Sequence, residues 1–419
     1  MTIDLDVAPA GRAEDRLRRT RSGALVVAVL VLLLVGASAP PAYAAEITPV
    51  LEGDGRGITA SLLTGTAVFT QHGEATDQSS DVWARPVVPG GPEWITKVAG
   101  LGTGLWLDRS GTVLVSESGD AGETTFLDAR TGRTRWKTGQ YSSVRPVGAA
   151  VTDWVPPDLL RVRHTASGRV LWSHPARAFA VDERQRYVVV FDVRRRPTVL
   201  SAADGRVVAR SGQLDFEWNL DYPAPFAPVR MIGDNLVTVG ATAIAAYRLT
   251  DLTPLWRTPI ARPAAVTGCG GRICAFSTGG LAVVDPADGA VRWSSERWHG
   301  LVDSGVRWSS ERWYGVADGS GHSAHPAGGQ GVLLDEAGRV ARVDLATGRV
   351  VAELGRGEVL GGLQLVDGGG GRTLVRDLAG GRVLGEVSGI AAGTCTAATD
   401  LFACRTADSR FRVWRIGRA

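Results

Sequence analysis

The stretch Leu127 to Trp136, LDARTGRTRW, returns in weaker copies from near residue 90 to near residue 385, and this recurrence restricts the architecture more than any other feature of the chain. Thr124 to Phe126 read as the end of one strand and Thr134 to Thr138 as the start of the next. A polar Asp-Ala-Arg-Thr-Gly link joins them, and Gly132 can take φ > 0 without steric cost, so the link closes a hairpin. Trp136 then stands on the returning strand. A hairpin alone cannot bury so large a ring, which must pack against a neighbouring sheet.

Aligned on the turn glycine, the copies are RPVVPGGPEW (Gly90, Trp94), LDARTGRTRW (Gly132, Trp136), RHTASGRVLW (Gly168, Trp172), LSAADGRVVA (Gly205), VDPADGAVRW (Asp285, Gly289, Trp293), VDLATGRVVA (Gly348) and RDLAGGRVLG (Gly381). An eighth copy, YRLTDLTPLW, ends at Trp256 and has Leu252 in place of the glycine. Successive turns lie 42, 36, 37, 47, 37, 59 and 33 residues apart. A period of this length filled with short strands predicts a β-propeller or a related array, in which each repeat buries its faces only against its neighbours.

At these windows the chain resembles the pyrroloquinoline-quinone-like (PQQ-like) β-propeller repeats, whose pattern of Asp, then Thr-Gly, then Trp four residues later is complete at Asp128, Thr131, Gly132 and Trp136. Other copies are partial: Asp288 replaces the Thr before Gly289, and Ala209, Ala352 and Gly385 replace the Trp. The resemblance spans roughly residues 48 to 416 and implies an all-β propeller of four-stranded blades. We expect eight blades, with seven or nine as the alternatives, because the short glycine-rich repeat around Leu363 to Val387 can share strands with the terminal segment Thr394 to Ile416. A short strand at Ile47 to Leu51 is expected to complete the last blade and so remove a free sheet edge.

Residues 1–45 are a targeting segment, and 46–419 form the propeller domain. Arg12, Arg16, Arg18, Arg19 and Arg21 precede an apolar run from Ala24 to Val35, followed by small residues and Ala42-Tyr43-Ala44. Flanking positive charge stays cytoplasmic, so the remainder is expected on the extracytoplasmic side. The shortness of the run and the Ala-x-Ala site point to a signal peptide cut after Ala44; the 22-residue polar lead points to an uncleaved apolar helix that anchors the chain in the membrane. Without the segment's five arginines and four acids, 41 basic and 39 acidic residues remain. So near-neutral a domain offers no basic stripe to nucleic acid, and Arg194-Arg195-Arg196 reads as a solvated hairpin tip.

The 59-residue gap contains a duplication, DGAVRWSSERWHG (Asp288 to Gly300) followed by DSGVRWSSERWYG (Asp303 to Gly315). Removing 15 residues restores an ordinary repeat length, so 301–315 reads as an insertion between two blades. One reading is a tandem slip tolerated at the surface. The other is an aromatic arm in which Trp298, Trp308, Trp313 and Tyr314 meet a partner.

The four cysteines fall in two local pairs, Cys269 with Cys274 and Cys395 with Cys404, each bracketing a turn. In an oxidising compartment such pairs form disulfides; zinc is the other use of cysteine, but the spacing is not Cys-x-x-Cys and no histidine accompanies either pair. His322 and His325 with Asp318 sit in a glycine-rich loop sequence and are assigned no metal. No nucleophile elbow, phosphate loop or zinc-protease motif occurs. The enzymatic relatives of these repeats, quinoprotein dehydrogenases, are similar only in the repeat. The chain resembles more the non-enzymatic branch, exemplified by the propeller lipoprotein of the outer-membrane β-barrel assembly machinery, though it lacks a lipoprotein cysteine. That resemblance implies a non-catalytic protein-interaction platform at the cell envelope, without cofactor or metal, whose partner is another envelope or membrane protein. The rival is a quinone- or metal-dependent oxidoreductase, with Asp153, Asp234 and Asp335 as candidate channel acids.

Overall fold

The computed structural model describes residues 43–417, apart from 74–78, 101, 109, 118–121, 183–184, 213, 215–228, 304–305, 309–312, 315–328 and 392. The chain separates near Tyr43, and all described strands belong to the unit from Ala44 onward. They form nine antiparallel sheets among the described residues, seven of them meanders of four consecutive strands. In order, the blades span Ile58–Ala99, Gly102–Lys137, Ser143–Pro175, Ala178–Arg210, Val229–Pro259, Pro263–Ser295, Trp298–Arg356 and Glu358–Ser388. The ninth joins Thr396–Ala398, Leu401–Arg405 and Arg410–Ile416 to the N-terminal strand Ile47–Asp54.

The burial pattern tells which way each blade faces. Middle strands are continuously apolar because both of their faces are covered by neighbouring blades; Val188, Val189 and Val190 are 0, 0 and 2% exposed. Fourth strands such as Val170–Pro175 alternate and are largely exposed, as expected at the rim. The first strand of blade one lies against that of blade two and also against blade nine, so the array closes into a ring with first strands at the centre. Closure is by strand pairing between the chain ends, with Ile47 opposite Ile416 and Asp54 opposite Arg410. Arg410 and Arg412 both reach Glu52 across this seam, at 2.8 and 3.0 Å.

Blade number departs from the expected eight. Glu358–Ser388 makes a complete four-stranded sheet and shares none of its strands with the terminal segment, which supplies three strands to a separate blade. That ninth blade has no third-to-fourth-strand turn, since its fourth strand comes from the other end of the chain. A turn motif therefore cannot reveal it. The apolar N-terminal run lies outside the described residues, and among the described residues no helix is long and apolar enough to cross a membrane.

The repeated tryptophans join successive blades. Trp94, Trp136, Trp172, Trp256 and Trp293 donate through Nε1 to the backbone oxygens of Ala129, Thr165, Ala202, Pro286 and Leu345, at 2.7 to 3.0 Å. Each acceptor lies in the turn of the following blade, whose glycine meets the indole: a Cβ on Gly132, Gly168, Gly205, Gly289 or Gly348 would come within 2.6 to 2.7 Å of the ring. These glycines thus serve twice, for positive φ and for close approach.

Four seams lack the tryptophan, and each is filled differently. Between blades four and five Ala209 stands in its place, and Leu252, at φ 59° and 2% exposed, occupies the turn position. Between blades seven and eight, Ala352 replaces the ring, and Arg342 Nη1 reaches Leu378 O at 3.3 Å and also Ala379 O. Between blades nine and one, Arg415 Nη2 reaches Val87 O at 3.3 Å. At the seam of blades eight and nine, Gly385 makes room for Ile47, whose Cδ1 would be 2.7 Å from an added Cβ.

Candidate interaction surfaces

Turns between first and second strands lie beside turns between third and fourth strands. Ala129 N donates to Gly111 O at 2.9 Å, and Leu378 N to Gly362 O at 2.9 Å. One face of the ring is built from these paired turns, and the links between blades lie on the opposite face. First-to-second-strand connections run from two to five residues in eight blades, whereas in blade seven the connection between Asp303 and Gln330 is 26 residues long. It leaves the ring on the turn face and carries the second copy of the duplicated sequence.

Trp298, read from sequence as part of an aromatic arm, is not available to a partner. It is 2% exposed, starts the first strand of blade seven, and packs in a cluster with Phe276, Leu281, Leu333 and Val343. The second copy behaves otherwise. Val306–Trp308 and Trp313–Tyr314 form a hairpin, with Trp308 opposite Trp313, that extends blade seven from the edge of its first strand to six strands. The side chains of Trp308, Trp313 and Tyr314 lie outside the description, as do Asp318, His322 and His325.

The acids expected to face the channel do not converge. Asp153 is 1% exposed and accepts from Arg163 Nε at 2.6 Å and from Ser142 Oγ. Asp335 is tied to Arg339 at 2.7 Å, and Asp234 to Arg186 at 3.0 Å. They belong to blades three, seven and five, and among the described residues no three His, Cys, Asp or Glu side chains come together as a metal would require. A calcium–quinone site needs several carboxylates around one point, and the described residues do not fit that requirement.

Acids of the turn face are held by the turns themselves. Asp128 Oδ1 accepts from the backbone of Arg130 and Thr131 at 3.0 and 2.9 Å, closing an Asx-type turn. The Arg135 guanidinium, 2.7 Å from Oδ2, together with these bonds holds the carboxyl down at about 2. Asp344 accepts from Ala346 and Thr347 in the same way, and its pKa is lowered chiefly by the Thr347 amide. The tip Arg194-Arg195-Arg196 is an exposed turn organised by Asp192, which accepts from the amides of Arg194 and Arg196 at 2.8 and 2.9 Å.

Two arginines at the centre of the ring escaped the reading of the sequence. Arg145 lies on the first strand of blade three and Arg230 on that of blade five, on either side of the short first strand Ala178–Val181. Burial, and then the charge of Arg230, hold the Arg145 guanidinium below its ordinary pKa, although the residue is accessible to solvent. A side chain that is wetted yet walled by protein is what a channel lining produces. No periodicity marks these positions, because they follow from which strands face the axis.

The cysteines form two disulfides, Cys269–Cys274 across the first hairpin of blade six and Cys395–Cys404 in blade nine. Both members of the first pair and Cys404 are at most 2% exposed.

No family model matches the chain, and no curated protein matches its sequence. Among solved structures it is similar to BamB from Moraxella catarrhalis, at 14% identity over 88% of this chain and 98% of that one, with a TM-score of 0.48. The computationally designed Ika8 protein matches at 12% identity over 87% of this chain and 100% of its own, TM-score 0.49. The dihydro-heme d1 dehydrogenase NirN, in complex with DHE, matches at 14% identity over 70% of this chain and 65% of its own, TM-score 0.45. At these identities and scores the likenesses transfer no activity or partner to this chain.

Proposed function

We propose that this chain is an extracytoplasmic propeller of the PQQ-like repeat type that serves, without catalysis of its own, as a protein-interaction platform at the cell envelope. One observation carries the reading: a ring whose other first-to-second-strand turns are short bears a single 26-residue connection on its turn face, holding a second Trp-rich copy outside the four-stranded pattern. Rigid elements that display one long loop are a common design for binding. The partner class follows from export, and is another envelope or membrane protein.

The rival is an oxidoreductase with a site in the channel. A photo-crosslinking residue at position 314 of the full chain, in membranes of producing cells, separates the two. The platform reading expects one envelope protein to be captured, and capture to vanish when residues 304–329 are replaced by a two-residue turn. Stoichiometric binding of pyrroloquinoline quinone with calcium, accompanied by dye-linked oxidation of alcohols or sugars, would overturn it.

A further inference from the structure

Connections between second and third strands share the link face with the blade-to-blade links. In eight of the nine blades they contain no Lys or Arg and together hold seven acids. Blade four is the exception: Val193-Arg194-Arg195-Arg196 stands at the apex between Tyr187–Phe191 and Pro197–Ser201. Two more arginines adjoin it. Arg177, in the incoming link, donates its backbone N–H to Phe191 O at 2.8 Å, and Arg210 ends the fourth strand opposite Thr198. Arg177, Arg194, Arg196 and Arg210 are exposed. Beside these five cations stand Asp192, bound to Arg196 at 2.7 Å, and Asp158, whose backbone oxygen accepts from Ala176 at 2.6 Å.

Turn chemistry accounts for Asp192, whose Oδ1 accepts from the amides of Arg194 and Arg196 and fixes the apex. It accounts for neither the valine nor the arginines. Val193 is 75% exposed, and Arg195 has φ 62°, where glycine or asparagine fits with less strain. We propose that the link end of blade four is a docking surface for a membrane carrying anionic phospholipid headgroups. Guanidinium groups match phosphate in shape and charge. Val193, next to them, is placed to enter the boundary of the acyl chains while the arginine stems lie along it. An acidic polypeptide fits this apex less well, because Tyr187–Phe191 and Pro197–Ser201 are each paired on both sides and leave no strand edge for a peptide to join. With the link face on lipid, the turn face and the long connection of blade seven point away from it. The inference does not depend on the platform reading.

The four cysteines are held in disulfides, so one added cysteine can carry a polarity-sensitive dye. Val193→Cys and, on the turn face, Ala346→Cys, each in the full chain and labelled with NBD, are mixed with phosphatidylglycerol vesicles, phosphatidylcholine vesicles or polyglutamate. Emission from position 193 is expected to rise about twofold on phosphatidylglycerol and to fall back in about 1 M salt, where the screening length is about 3 Å. It is expected to stay flat with the other two additives, and position 346 to stay flat throughout. Adding Arg194→Gln, Arg195→Gln and Arg196→Gln together to Val193→Cys should abolish the rise. The N-terminal segment is present in every variant, so a response that it causes is shared by both positions. An equal response at position 346, a response to phosphatidylcholine, or one that survives the arginine substitutions overturns the proposal. So does the absence of any rise, which makes the apex a solvated tip, or as large a rise with polyglutamate, which makes its occupant an acidic polypeptide. If the arginine variant does not fold, a rise at position 193 that is indifferent to salt overturns the proposal instead.

Discussion

Leu252 and Ala209 share one apolar cluster at the seam of blades four and five, in the positions that a turn glycine and a docking tryptophan hold at five other seams. The exchange is complementary: where the ring is lost, the turn residue grows to fill its space and keeps the positive φ of 59° that glycine would have taken. The two positions are thus one packing unit divided between blades.

That unit makes Gly168 more demanding than Gly381. Both have φ near 68°, but an added Cβ on Gly168 meets the Trp136 ring at 2.6 Å, while at Gly381 nothing lies within 4 Å. Gly381→Ala is expected to cost about 1–2 kcal/mol, the ordinary penalty of the left-handed region, and Gly168→Ala about 1–3 kcal/mol more through overpacking. Denaturant titration of the two variants side by side checks the order; equal losses would mean that the indole moves aside freely.

Trp136→Ala removes a half-buried ring that stacks on Phe126 at 3.7 Å between centroids and donates to Thr165 O at 2.7 Å. A loss of about 3 kcal/mol is expected, at the lower end for large aromatics because one edge is already wet. Chemical unfolding is the measurement, and a loss below about 1 kcal/mol would show that the seam holds without it.

Stability should fall in acid. Asp128 has a folded pKa of about 2 against the ordinary aspartate value of 3.8, so its contribution is complete above the unfolded value and disappears as pH drops toward the folded one. Asp285, Asp344 and Glu353 shift in the same direction, the first two mainly through turn amides and Glu353 mainly through Arg297. Melting temperature is therefore expected to decline most between about pH 4 and pH 2, and Asp128→Asn to shallow that decline. An unchanged slope in the variant would remove Asp128 from the account.

Peptide mapping of the purified protein without reductant should recover Cys269 linked to Cys274 and Cys395 linked to Cys404, with no free thiol. The loops are short, so each link adds at most about 2–3 kcal/mol in the chain-entropy model. Crossed partners would contradict the pairing described above.

Deletion of Leu301–Gly315 is expected to leave a folded ring. It joins Gly300 to Val316, so that Val316 and Ala317 follow the strand that pairs Gly300 with Leu334 and Leu301 with Leu333. A melting temperature within a few degrees of the wild type is the anticipated result; a large drop would make the second copy structural.

Features that are local or repeated were legible in the order of residues alone. A turn glycine with a tryptophan four residues later marks a hairpin whose ring must leave its own sheet, and cysteines bracketing a turn are neighbours by chain geometry. Tertiary structure alone decided what depends on distant segments meeting. The ninth blade is assembled from Ile47–Asp54 and Arg410–Ile416 and has no turn of its own, so the repeat could not count it. Arg342 and Arg415 take over the docking carbonyls from positions outside the motif, because a long guanidinium reaches them from a third strand. The burial of Trp298 and the placing of Arg145 and Arg230 on first strands at the centre of the ring have the same origin. Two near-identical copies carry equal local preferences, and only the fit of one of them between Asp285, Leu345 and Glu353 separates the strand that is built in from the one held at the edge.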